Sequence, residues 1–450
     1  MSEILIRHAS LEGSTKDILV SDGVISAIAN DLAAPPDGEV FDAEGLLVWP
    51  GMVNTHHHLA QSILKGMPSG INSNLNDWLI KVPFLAWPHF DAETMYVAAM
   101  IGFSELLRSG CTTCADHHYL YQKDYGPELE SAVLSAAEDI GIRFVLCRGG
   151  ATSTGSHLGL TNSGLIVNED LDTMLLRLQD TLHNWHDPTP ESMRRLVVAP
   201  TSLVHGAEPD HLRVLAEFAV EHDLRRHSHL LEVKRDEEIT QQKYGMSAAS
   251  YAEHVEWLGP DVWYAHLVHT DEDALAKFAE SGTGIAHCPT SNCRLGSGIA
   301  PVVAMAAAGI PVSLGVDGSA SAENGSMANE AMLTWLLHRA IDGASSTSLD
   351  QVKEWSTLGG ANILGLNIGR ICIGACADLI FFDLSEPRYA GLWMPEYAPI
   401  VCGEPVQIAR TMINGRWRVI DGQLVDTDIK ELLLKAEEKI RGLSNRIARV

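Results

Sequence analysis

The sequence predicts an α/β fold: eight parallel strands alternating with helices in a (β/α)8 barrel, with a small β-sandwich domain formed by both termini. Three observations lead there. Eight short apolar or β-branched runs recur between residues 52 and 316, several intervening stretches carry helical spacing, and the two chain ends read as short strands joined by tight turns. Periodicity alone leaves an open doubly wound sheet as the alternative.

The eight runs are "MVNTHH" (52–57), "CTTCAD" (111–116), "RFVLCR" (143–148), "RLVVAP" (195–200), "LRRHSHL" (224–230), "VWYAHL" (262–267), "TGIAHC" (283–288) and "PVSLGV" (311–316). Between the fourth and fifth, "PDHLRVLAEFAVEHD" spaces Leu212, Leu215, Ala216 and Ala219 as one face of an amphipathic helix. "ELESAVLSAAEDIG" and "DEDALAKFAESG" read as helices that close on a C-terminal Gly. The most apolar window, residues 299–316, is broken by Pro301, Gly309 and Pro311, so it reads as a short helix, a turn and a buried strand, not a membrane span.

Residues 51–369 therefore form the expected barrel, and residues 1–50 and 370–450 the small β domain plus a C-terminal helix. At the ends, "DILVSDGVISAIA" and "VQIARTMINGRWRVIDG" carry Asp-Gly and Asn-Gly hairpin turns. In the final stretch Leu433, Ala436, Ile440, Leu443 and Ile447 define a stripe that packs on its own chain or on a second subunit, so a homo-oligomer stays open.

Composition excludes several partners. The 32 basic residues against 58 acidic ones give the 450-residue chain a formal charge of -26, which repels nucleic acid polymers and anionic membrane surfaces. "MSEILIRHAS" does not read as a signal peptide, and eight unpatterned cysteines fit reduced thiols, so a cytoplasmic location is expected. Cys111 and Cys114 form a C-x-x-C inside a β-branched run, which reads as buried strand before redox or zinc chemistry.

Chemistry concentrates in histidines. Alternate strand residues share a face, so in "NTHHH" His56 and His58 can converge on one metal while His57 points elsewhere. Such a pair is weak by itself. Support comes from the ends of later strands, where "HSHLLE" offers His227, His229 and Glu232, "YAHLVH" offers His266 and His269, and "LGVDGSAS" offers Asp317. At a barrel mouth, two imidazoles, a third and a carboxylate would fill a zinc shell and leave a position for water.

In order and spacing this set resembles the amidohydrolase superfamily, its deaminase branch above all, along nearly the whole chain. The resemblance implies His56, His58, His229 and Asp317 as metal ligands, Glu232 as proton shuttle, His266 as polariser of the attacking water, and Asp317 as a second proton carrier. His57 and His227 become structural. The place where two-metal members carry a bridging Lys or Glu reads "VVAPTS" here, so one divalent ion is implied, zinc first and iron or manganese as alternatives. The unrelated nucleobase deaminases use P-C-x-x-C, and Gly110 precedes Cys111 here.

"HHHLAQSILKG", "LCRGGATST" and "DVWYAHLVH" are most similar to the branch that deaminates oxidised pterins such as isoxanthopterin, with oxidised-guanine deaminases and triazine hydrolases close by. The implied partner is a small heterocycle, contacted by Gln61, Arg148 and Thr154. For Arg148 an ion pair with an acidic neighbour stands as an equal alternative. Residues 66–90, with Trp78 and Trp87, form a long loop fit to act as a lid. One departure stands out: related deaminases commonly place Asn after the "DGSAS" stretch, whereas this chain has Ala322 ahead of Glu323 and Asn324. A triazine hydrolase of the same fold, and a non-catalytic binding protein on a degenerate barrel, are the competing functions.

Overall fold

The computed structural model describes residues 3–11, 13–121, 126–153 and 167–448. Its centre is a sheet of eight parallel strands in sequence order: Met52–His57, Cys111–His118, Arg143–Arg148, Arg194–Val198, Arg225–Leu230, Val262–His266, Gly284–His287 and Val312–Leu314. A parallel bridge between His57 and Asp317 joins the last strand end to the first, so the sheet curls into a nearly closed barrel. Every one of the eight runs is a strand. Their near-continuous burial is what helices outside and side chains inside impose on a parallel sheet.

The outer helices follow the spacing. Pro209–Glu221 buries Leu212, Leu215, Ala216 and Ala219, the predicted face. Glu128–Ile140 and Glu272–Ser281 end on Gly141 and Gly282, both in the left-handed region that a C-cap favours. Residues 299–316 resolve into helix Val302–Ala307, a turn at Gly309 and strand Val312–Leu314. Cys111 and Cys114 are buried in the second barrel strand, and burial pushes the Cys111 thiol up to about 12.

Strands from both termini join in one nine-stranded mixed sheet around its own core of Ile6, Val20, Phe381 and Met412. Its hairpins turn at Asp22-Gly23, Asn414-Gly415 and Asp421-Gly422, where all six residues have positive φ, the signature of the tight turns that match strand twist. Asp378 ties sheet to barrel by accepting two hydrogen bonds, each 2.9 Å, from the fully buried guanidinium of Arg143.

Two expectations need correction. The C-terminal helix, Ile429–Ile447, buries Leu432, Ala436 and Leu443, while Leu433 and Ile440 are 51% and 45% exposed. It packs on helix Ala92–Arg108 of its own chain, where Lys439 pairs with Glu93. Three consecutive leucines leave the phase of the stripe undetermined in the sequence, and packing selects the first. Residues 66–90 are not a bare loop: Asn74 caps helix Leu75–Lys81 by accepting from Asp77 N, and Pro83 opens a further turn. Among the described residues, no helix is long and apolar enough to cross a membrane.

Candidate metal centre and active site

The carboxyl ends of the first, fifth, sixth and eighth strands meet at one point inside the barrel mouth. His56, His229, His266 and Asp317 present ligand atoms that all lie within 4.8 Å of one another. His58 completes the group, its Nε2 3.1 Å from Asp317 Oδ1 and 3.2 Å from His229 Nε2. His56 Nε2 stands 3.3 Å from the same carboxylate oxygen. Tetrahedral ligands at about 2.0–2.1 Å from an ion lie about 3.3 Å apart, so these separations suit a zinc-sized ion.

Hydrogen bonds behind the rings fix which nitrogen faces inward. A carbonyl oxygen only accepts, so His58 Nδ1 donates to His117 O (2.9 Å) and His229 Nδ1 donates to Thr201 O (2.5 Å). Both Nε2 atoms then keep a lone pair. The same logic runs through a relay: His227 Nδ1 donates to Trp263 O (2.9 Å), leaving His227 Nε2 to accept from His56 Nδ1 (2.8 Å). His56 Nε2 is buried without a hydrogen-bond partner, an orphan that a cation would satisfy.

Electrostatics agree. Burial drives His56 well below the ordinary imidazole value, so it is neutral at physiological pH. Burial alone would raise Asp317, but the neighbouring His56 and His58 rings outweigh it and hold the carboxyl well below the usual range. Neutral imidazole and ionised carboxylate are the forms a metal requires. Glu232, 3% exposed, behaves oppositely: burial, with Asp317 and Asp236 adding, pushes it well above the ordinary carboxylate value. Its Oε2 lies 3.6 Å from His266 Nε2, and burial pushes His266 down to about 4. Backbone strain gathers here too, with His266 at φ 76° and Asp317 at φ 57°.

Beyond the cluster lies a cavity whose empty space, counted out into open solvent, is about 360 Å³. Gln61, Leu75, Trp78, Leu79, Trp87, Tyr119, Thr201 and Leu295 wall it, with His58, His229, Glu232, His266 and Asp317 at its floor. Trp78, only 2% exposed, is pinned by Nε1 donating to Ala320 O (3.1 Å) and still faces the cavity. Gln61 donates through Nε2 to the Tyr119 hydroxyl (2.9 Å), while its Oε1 is buried with no partner. A Cβ at Gly318 would stand 1.8 Å from that Oε1, so glycine is what lets the amide lie there.

The structure thus brings His56, His58, His229, Glu232, His266, Asp317 and Gln61 together. His57 is turned away, accepting from His58 N at Nδ1 (2.7 Å), and His269 is outside the cluster. Arg148 does not line the cavity. Its fully buried guanidinium pairs with Glu169 and lies 3.7 Å over the Tyr121 ring, the ion-pair alternative. Thr154 lies outside the described residues. Ala322 stands where related deaminases have Asn, and the next residue, Glu323, accepts from Gly66 N and pairs with Arg294, tying the strand-eight loop to the 66–90 segment.

Sequence reasoning passed over His117, Tyr119 and Thr201. His117 stacks on His229 with centroids 4.7 Å apart, and Tyr119 stands 4.5 Å from both His58 and Trp87. Alternation in "ADHHYLY" places His117 and Tyr119 on one face, a usable signal.

Comparison with known proteins agrees with this geometry. The model of the amidohydrolase family matches residues 47–418. An isoxanthopterin deaminase from an unknown prokaryotic organism is 39% identical over 447 residues, covering 96% of this chain and 92% of the relative. An 8-oxoguanine deaminase from Pseudomonas aeruginosa is 35% identical over 424 residues, with 93% and 92% covered. Among solved structures, the atrazine chlorohydrolase from Arthrobacter aurescens TC1, complexed with zinc, superposes with a TM-score of 0.91 at 27% identity, covering 97% of this chain and 100% of that one. With the matched region spanning the barrel and its histidine cluster, the chain belongs to the amidohydrolase family of metal-dependent enzymes.

Proposed function

We propose that the protein is a hydrolytic deaminase of an oxidised, lactam-bearing heterocycle, an oxidised pterin such as isoxanthopterin first and an oxopurine such as 8-oxoguanine second. The observation that carries this reading is the cavity. Beyond the ligand cluster its wall is aromatic, aliphatic and amide, a lining suited to one planar ring system. Among the described residues its wall carries no lysine or arginine, so nothing there pairs with a phosphate or carboxylate on the ligand. The orphan Oε1 of Gln61 is an acceptor waiting for a ring N–H, which a lactam supplies. Trp78, Trp87 and Tyr119 offer aromatic surface to the ring.

His56, His58, His229 and Asp317 would hold the ion, zinc by preference. A bound divalent ion lowers the pKa of water from about 15.7 to about 7 and so supplies the nucleophile. The chain's own residues manage the protons. Water adds to the amino-bearing ring carbon, the electron pair moves to the adjacent ring nitrogen, and Glu232 Oε2 protonates that nitrogen. Asp317 takes one proton from the water and passes it to the amine, which leaves as ammonia, while the remaining hydroxyl proton returns to Glu232 as the carbonyl forms. A protonated, desolvated Glu232 beside an ionised Asp317 is the split in acidity that such a pair of roles needs.

A triazine hydrolase is the second reading, favoured by the superposition on the zinc-bound chlorohydrolase. Ammonia release measured across isoxanthopterin, 8-oxoguanine, guanine, adenosine and amino- and chlorotriazines separates the two. The expected result is ammonia from an oxidised pterin or oxopurine and none from the nucleoside. Turnover of a triazine with no ammonia from any pterin or purine would reject the first reading.

A further inference from the structure

The seventh strand contributes no ligand to the cluster, yet the turn that follows it reaches two of the groups there. "HCPTSN" leads from strand Gly284–His287 into the short helix Pro289–Leu295. Ser291 Oγ donates to Asp317 Oδ2 at 2.5 Å, joined by Ser321 Oγ at 2.9 Å. Asn292 Nδ2 lies 2.9 Å from His266 Nδ1. Both Ser291 and Asn292 are fully buried, and the turn is anchored from behind by Thr290 N donating to the buried Glu330 carboxylate at 3.2 Å.

The Asn292 contact has the opposite polarity to those behind the other rings. His58 and His229 each donate from Nδ1 to a carbonyl, and His56 donates to an imidazole, which leaves Nε2 as a bare lone pair. His266 Nδ1 instead faces an amide N–H2. With Nδ2 at the contact and Asn292 Oδ1 buried without a partner, Nδ1 accepts and the ring proton sits on Nε2. An Nε2–H cannot bind a cation, and it points toward Glu232, whose Oε2 is 3.6 Å away. On the carboxylate, the Ser291 hydroxyl holds Oδ2, Ser321 shares its one proton between Oδ2 and Gly318 O, and Oδ1 faces the Nε2 atoms of His56 and His58.

We infer that Ser291 and Asn292 are positioning residues that divide the five converging groups into roles: Ser291 turns Asp317 Oδ1 toward the metal position, and Asn292 keeps His266 protonated on Nε2 as a hydrogen-bond donor outside the ligand set. Geometry alone does not make this division, because His266 lies as close to His56, His229 and Asp317 as a ligand would. The inference rests on the metal-centre reading above.

Cobalt substitution tests it, because visible absorption reports coordination number independently of turnover. Asn292→Asp is nearly isosteric but presents an acceptor to His266 Nδ1. This moves the ring proton to that nitrogen and exposes an Nε2 lone pair to the ion. The expected result is a weaker, shifted cobalt band, as a fifth ligand gives, with turnover lower by about 10- to 100-fold. Ser291→Ala should weaken cobalt affinity by about 10-fold or more, and Ser291→Thr, which keeps the hydroxyl, should restore it to near the parent value. Superimposable spectra for the parent and Asn292→Asp, or unchanged affinity in Ser291→Ala, would overturn the inference. Should Asn292→Asp not fold, the serine pair still decides it. A parent that takes up no cobalt would instead overturn the metal centre itself, and this division with it.

Discussion

Replacing Glu232 by Gln removes a transferable proton while keeping the shape of the side chain. Glu232 is 3% exposed, and its Oε2 stands 3.6 Å from His266 Nε2, so its proton sits among the converging groups at the cavity floor. Loss of a positioned general acid typically costs 10² to 10⁴ in rate, or about 2.7 to 5.4 kcal/mol of barrier at about 1.36 kcal/mol per tenfold. Stability should move the other way. Burial raises the folded pKa of Glu232 above its ordinary 4.5, so the folded chain holds this proton longer than the unfolded one. Its contribution therefore falls as pH rises through that interval. Gln lacks that loss, so the metal-free variant should match the parent near pH 4 and unfold at a higher temperature near pH 8. The assay combines ammonia release, metal content and thermal unfolding at the two pH values. A variant within tenfold of the parent rate, or one that loses its metal, would refute the assignment of Glu232 as shuttle.

Three further outcomes follow from the same geometry. His227→Ala takes away the acceptor that orients His56, so metal affinity measured by chelator competition should fall by about 10- to 100-fold, and unchanged affinity would contradict the relay. Arg148→Met leaves the buried Glu169 carboxylate with Arg177, 3.2 Å away, as its remaining cation among the described residues, and should cost about 3–5 kcal/mol in denaturant unfolding. A change in KM without that loss would return Arg148 to the substrate. Burial holds His57, His118 and His227 at about 3, below the unfolded value of 6.5, so the unfolded chain binds more protons as pH falls between those values. At pH 5 each should cost the metal-free protein about 2 kcal/mol, measurable as a lower denaturant midpoint than at pH 7, and equal midpoints would contradict it.

The barrel was legible because a parallel sheet needs uninterrupted apolar strands, and eight such runs are visible between turn and helix signals. The ligand set was legible for a related reason: side-chain alternation separates His56 and His58 from His57, and barrel geometry brings strand ends together whatever their distance in sequence. What escaped were groups whose role depends on a particular partner. Arg148 sits at the expected strand end with both readings open, and nothing in the sequence marks Glu169, 21 residues on, as the partner its guanidinium meets. Ser291 and Asn292 carry no metal-ligand chemistry of their own, so nothing in their spacing marks them. Leu432 rather than Leu433 faces the protein because "ELLLK" fits either phase of a helix.

The central claim is that three imidazoles and one carboxylate gather a single divalent ion that deamination requires. Zinc titrated into chelator-stripped protein, with ammonia release from isoxanthopterin or 8-oxoguanine recorded at each addition, tests it most directly. Activity should be absent without zinc, rise linearly, and stop rising at one equivalent, with His229→Ala inert throughout. Full activity in the stripped protein, or a rise that continues to two equivalents, would contradict it.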